Sequence, residues 1–136
     1  MSEQSELSDF HQEPATVVVS RTLTCPVKRV WKELMTKQGA EALLGPGAEF
    51  GEKGHTWTSA DGRTGVVRTL HPMEEIRFSL RQDDNPPSLV QIDLAAEGDM
   101  TAATVTHSNL NETTDRQWLV GRWEAALGRI DAFLAD

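Results

Sequence analysis

Cysteine occurs once in the 136 residues, as Cys25, so the chain cannot form an internal disulfide and a reducing compartment is the natural setting. No run of about 18 apolar residues exists, which argues against a transmembrane helix. The opening stretch, residues 1–14, is polar and acidic without a basic start or an apolar core. It does not read as a secretory signal, and a cytoplasmic location is expected. Basic residues are in the minority, 13 Lys and Arg against 21 Asp and Glu, for a formal charge of −8. Such a surface repels phosphate backbones and anionic headgroups, so nucleic acid and membrane are not the expected partners. His11, His55, His71 and His107 are scattered without ligand spacing, and the lone cysteine has no partner, so no metal site is expected. A Gly-rich phosphate loop, a nucleophile elbow and a paired-carboxylate motif are all missing, and no cofactor is called for.

What is present suits one domain over 15–136, long enough to bury roughly two thirds of its unfolded surface, behind a disordered leader over 1–14 that ends at Pro14. Thr16–Thr24 is β-branched and reads as a strand with Val17, Val19, Arg21 and Leu23 on one face. A helix capped by Thr24 or Cys25, with Pro26 in its first turn, carries Val27, Val30, Trp31 and Leu34 at helical spacing and stops near Gly39. A short helical turn over 40–44 ends at Gly45-Pro46-Gly47. Five strands follow by alternation, over 55–58, 64–71, 75–81, 89–96 and 101–108. Asp61-Gly62 and Gly98-Asp99 mark turns, and a proline-bearing loop spans 82–87. Phe78 and Leu80, Val90 and Ile92, and Val105 and His107 fall on the inward faces. The last segment, about 115–135, places Leu119, Trp123, Leu127, Ile130 and Leu134 on one stripe. Some twenty residues at about 1.5 Å each make a rod near 30 Å long, enough to cross a sheet.

This order implies an α+β fold: a curved antiparallel sheet of six to seven strands wrapped on a long C-terminal helix, with two short helices after the first strand. A straight helix rarely follows a bent sheet along its full length, so a gap is expected at one end, with the short helices at its lip.

The segment TVVVSRTLTCPVKRVWKEL resembles the opening of the START-like, or SRPBCC, helix-grip superfamily. GVVRTLHPMEEIRFSL is similar to its glycine-started strand, proline and following apolar strand. TAATVTHSNL resembles its threonine-rich strand, and the Trp123-x3-Leu127-x2-Ile130 helix resembles its close. The combination, over about residues 16–135, is most similar to the branch related to the activator of heat-shock protein 90 ATPase. Two departures stand out. Leu43-Leu44 occupies a place where the family usually has tryptophan, and Gly121-Arg122-Trp123 stands where glycine usually joins tryptophan directly.

The resemblance implies a cavity between sheet and final helix that binds a small hydrophobic or aromatic molecule. Its expected lining is Arg21, Leu43, Leu44, Trp57, Phe78, Leu80, Ile92, Val105, His107, Trp118 and Trp123. Each has a plainer reading. His107 either serves a ligand, as hydrogen-bond partner or general base, or is satisfied by a neighbouring hydroxyl or carbonyl. Arg21 either meets a ligand carboxylate or pairs with an acid, and Arg68 has the same ambiguity. Trp57, Phe78, Trp118 and Trp123 form either a pocket wall or simple core. Cys25, at a helix start, is either a reactive thiol or a plain small residue. Three functional readings follow: a small-molecule binding protein, a cyclase, aromatase or hydratase using His107 in the same cavity, and an interaction module for a chaperone or a second copy of the chain. No catalytic motif is visible, so binding without catalysis is the preferred reading.

Overall fold

The computed structural model describes residues 15–83, 85–111 and 113–135. The expected leader over 1–14, with His11, lies outside them. Among the described residues nine elements follow one another: β1 (Ala15–Leu23), α1 (Val27–Leu34), α2 (Lys37–Leu44), β2 (Thr56–Thr58), β3 (Arg63–His71), β4 (Glu75–Gln82), β5 (Ser88–Glu97), β6 (Met100–Leu110) and α3 (Arg116–Leu134). The strands form one six-stranded sheet in the order β1-β6-β5-β4-β3-β2. Every neighbouring pair is antiparallel. The meander over β2–β6 follows from short turns, and β1, set apart in sequence by two helices, closes the far side by pairing with β6 from Leu23↔Thr101 to Val17↔His107.

Alternation explains which face is buried. On β5, Ser88, Val90, Ile92 and Leu94 point inward; on β6, Thr101, Ala103, Val105 and His107 do so. The parity of β3 changes at a register irregularity between Val67 and Thr69, a bulge that re-aims the strand. Arg63, Gly65 and Val67 therefore face the core, and Arg68 is exposed on the opposite side.

The two short helices divide differently from expectation. The break falls at Met35–Thr36, and Gly39 lies inside α2. The cause is local. Thr36 caps α2 by accepting the Gly39 N–H at 3.1 Å, and its hydroxyl donates to the Glu33 carbonyl at 2.6 Å. Gly39 allows that tight return, because a Cβ there would lie 2.1 Å from the Glu33 carbonyl oxygen. Pro26 holds the cap position of α1 in extended backbone, with no side chain capping the helix. Thr24 instead turns to α3, where both its N–H and its hydroxyl donate to Asp131.

The long helix lies on the sheet as its stripe demands, with Leu119, Trp123, Ala126, Leu127, Ile130 and Leu134 buried. Asp115 is its N-cap and accepts the Trp118 N–H at 3.0 Å. Beneath it Trp57 meets Phe78 edge-on, centroids 5.9 Å apart, and Phe50 meets the same ring at 6.0 Å. Burying side chains of this size contributes roughly 1.5–3 kcal/mol each. At its C-terminal end α3 is held to β1 by the Arg21–Asp131 ion pair at 3.1 Å, and to α2 by Arg129, which donates to the Ala42 carbonyl. Its N-terminal half passes over the ends of β4, β5 and β6, and there the packing opens.

Candidate ligand cleft

Between the first turns of α3 and the ends of β4–β6 lies a cleft of about 450 Å³. Its apolar wall is Leu80, Leu110, Trp118 and Leu119. Ser88 and His107 form part of its floor, and Asp61, Arg63, Asn85, Asn109, Asn111 and Arg122 stand around it. Trp118 is 64% exposed, three residues after the cap of a helix otherwise buried on its inner side. A second cleft of about 420 Å³ adjoins the first, sharing Arg63 and Arg122 and reaching Gln38, Glu41 and Ala42 on α2 and Arg129 on α3.

His107 anchors the floor. Its ring is 3% exposed and packs edge-on against Trp123, centroids 5.8 Å apart. The Trp123 indole N–H donates to Nδ1 at 3.1 Å, and Nε2 lies 2.7 Å from the Ser88 hydroxyl. An indole nitrogen only donates, so Nδ1 must be the acceptor and the neutral ring carries its proton on Nε2. Nε2–H then donates to Ser88 Oγ, and the Ser88 hydroxyl donates onward to the Leu80 carbonyl at 3.1 Å. Every polar atom of the chain Trp123–His107–Ser88–Leu80 is used. Burial lowers the His107 pKa to about 4. The indole N–H opposes protonation of Nδ1 in the same direction. The resemblance of Ser88 and His107 to a nucleophilic pair ends there: the imidazole donates toward the serine and has no lone pair left to take its proton.

Arg63 is the second organising residue. Its guanidinium is held by Asp61 through Nε at 3.1 Å and through a close Nη2 contact. The hydrogen bonds from Arg63 pull the Asp61 carboxyl down to about 2 against the opposing effect of burial. The remaining nitrogen, Nη1, is enclosed without an acceptor among the described residues.

Of the residues expected to line a cavity, Leu80, His107 and Trp118 meet at this cleft, and Trp123 stands directly behind His107. The others lie elsewhere. Arg21 is at the opposite end of α3, its guanidinium on Asp131. There burial pushes the aspartate's pKa upward, but bonds from the Thr24 N–H, Arg21 and the Thr24 hydroxyl outweigh it and the value is lowered. Leu43, Leu44, Trp57, Phe78, Ile92 and Val105 are fully enclosed and fill the space between sheet and helix. The room is at the mouth of the grip rather than along its length, because these large side chains occupy the middle. The lip contributed by α2 consists of Gln38, Glu41 and Ala42 instead of the two leucines. Arg68 is on the outer face of the sheet. Cys25 is half-buried, its thiol 3.8 Å from the Leu134 carbonyl.

Ser88, Arg63 and Arg122 line the cleft without being marked by their sequence context as site residues. Ser88 follows two prolines and looks like loop. Arg63 follows Asp61-Gly62 and looks like a turn residue, and only the parity of β3 ahead of its bulge turns it inward. Arg122 interrupts an apolar helix face, the one such signal the sequence carries.

The profile of the family described as Activator of Hsp90 ATPase homolog 1-like protein matches residues 21–135. No curated protein matches the chain. Among solved structures, CalU16 from Micromonospora echinospora is 20% identical with a TM-score of 0.76, the match covering 89% of this chain and 76% of that one. DynU16, described as a protein of the dynemicin biosynthetic locus, is 20% identical with a TM-score of 0.74, over 88% of this chain and 47% of that one. The Aha1 dimer from Colwellia psychrerythraea is 18% identical with a TM-score of 0.74, over 88% and 96% of the two chains. These likenesses establish the helix-grip fold.

Proposed function

The chain belongs to the Activator of Hsp90 ATPase homolog 1-like family, and from that premise we propose that the cleft at the N-terminal end of α3 binds a small, largely apolar molecule. The observation that carries the reading is Trp118: a large aromatic, 64% exposed, that lines a space of about 450 Å³ together with Leu80, Leu110 and Leu119. That size lies in the range of small-molecule pockets, where apolar walls supply affinity and a few fixed polar groups supply orientation. The Trp123–His107–Ser88 chain, satisfied within itself, gives the cleft a rigid floor, and the polar side chains around it are the groups left to orient a ligand. The setting of DynU16 in a biosynthetic locus lends support. Binding is favoured over catalysis by His107, because the imidazole lone pair a general base would use is already engaged by Trp123. The lone Cys25 accords with a cytoplasmic setting. Native mass spectrometry of the purified protein tests the proposal. A small molecule carried through purification and lost on replacing Leu119 with Trp supports it; a ligand that persists in L119W argues for a different site.

Self-association is a second reading, favoured by β1. This strand is nine residues long, stands at the edge of the sheet and exposes Val18 to 58%. Sedimentation of wild type and Val18→Lys checks it: a dimer that the lysine dissociates supports pairing through β1, and a monomer at all concentrations opposes it. A chaperone partner rests on the family description alone, and an ATPase assay with the chaperone decides it.

A further inference from the structure

Resting on the cleft reading, we propose that the occupant is an aromatic organic anion, its ring against Trp118 and its carboxylate or sulfonate at Arg122. Arg122 lines both clefts and stands where they join. Its guanidinium carbon lies 5.1 Å from the centre of the Trp123 ring, which holds the cation over the same indole that donates to His107. No carboxylate partners it among the described residues, although the whole chain is acidic at −8. Arg63 lies beneath, 9% exposed, its charge matched by Asp61 while Nη1 stays enclosed and without an acceptor among the described residues. The one carboxylate on the first cleft's wall, Asp61, is already engaged by Arg63 and Ser59. With Asp61 and Arg63 matched, the cleft keeps the one net positive charge of Arg122 next to an apolar wall. A neutral ligand leaves Arg122 unanswered, whereas a planar anion matches its fork of donors.

A matched pair of dyes tests this: 8-anilinonaphthalene-1-sulfonate and N-phenyl-1-naphthylamine share their ring system and differ by the sulfonate. Both are titrated into wild type, Arg122→Gln and Arg122→Lys, with thermal melts to confirm folding. Arg122→Gln is expected to weaken the sulfonate about tenfold and to leave the neutral dye unchanged, with Arg122→Lys between. Raised salt should weaken the sulfonate alone. If both dyes bind and Arg122→Gln affects them equally or neither, the anion subsite is overturned while the cleft stands. If neither dye binds wild type, the cleft reading fails and takes this proposal with it.

Discussion

Trp123 donates its indole N–H to Nδ1 of His107 across 3.1 Å, and that one bond settles which way the proton points on every atom from α3 to the carbonyl of β4. Replacing Trp123 with Phe keeps most of the ring and deletes the donor. The His107 pKa should then rise from about 4 toward, without reaching, the ordinary 6.5, because burial still disfavours the charged ring. Stability should fall by about 2 kcal/mol from the unpaired acceptor and lost volume. Imidazole carbon shifts followed against pH read the first effect directly; a titration unchanged by Trp123→Phe would count against the assigned tautomer.

The same histidine makes stability depend on pH with a definite sign. Its folded pKa lies below the unfolded one, so the unfolded chain binds the proton more readily. Its contribution is fully present above about 6.5, is lost as pH falls from there to about 4, and is flat below. A shift of this size corresponds to about 3 kcal/mol. Urea denaturation of wild type and His107→Leu between pH 4 and 7 checks it. The variant should be less stable at pH 7 and should lose most of the slope; parallel slopes in the two proteins would assign the pH dependence to other groups.

Much of this fold is legible in the residues because alternation and helical spacing are strong, local signals. The five-residue stripe on α3 and the inward sets on β4, β5 and β6 stand where the pattern puts them. The α1–α2 boundary is not legible, because Gly39 looks like a helix stop while its role is steric, under the Glu33 carbonyl. The cleft was less legible. Whether an inward aromatic fills a core or walls a pocket depends on where the helix axis leaves the sheet, a relation between distant segments. Thus Trp57 and Phe78 are packing and Trp118 is wall, although the sequence pattern does not distinguish the three. Arg21 shares a strand face with Val19, but its partner Asp131 sits 110 positions away.

Gly65 on β3 leaves no room for a side chain: a Cβ would lie 1.8 Å from the Ser79 carbonyl oxygen and 2.6 Å from Trp57 Nε1. Gly65→Ala should destabilise by about 3 kcal/mol through forced separation of β3 from β4. Gly121→Ala, on an open helix surface with nothing near the added methyl, should be neutral or stabilising by up to about 1 kcal/mol. Thermal unfolding of the pair checks both, and equal melting temperatures would contradict the close approach of β3 and β4.

Asp131→Asn removes the charge that holds Arg21, Thr24 and the C-terminal end of α3 together. A loss of about 1–3 kcal/mol is expected from denaturant unfolding. Dye binding should not change, because this clasp and the cleft lie at opposite ends of the helix. A large change in binding would mean that the two ends are coupled.

The central claim is that the open end of the grip is where a ligand sits. Titration of isotope-labelled protein with N-phenyl-1-naphthylamine, followed through the indole and backbone amide resonances, tests it most directly. Saturable shifts of the Trp118 indole and of the Asn109 and Leu119 amides, with the Trp57 indole unmoved, are the predicted result. Shifts confined to Arg68, Leu89 and Thr106 on the outer face of the sheet, or none at all, would contradict it.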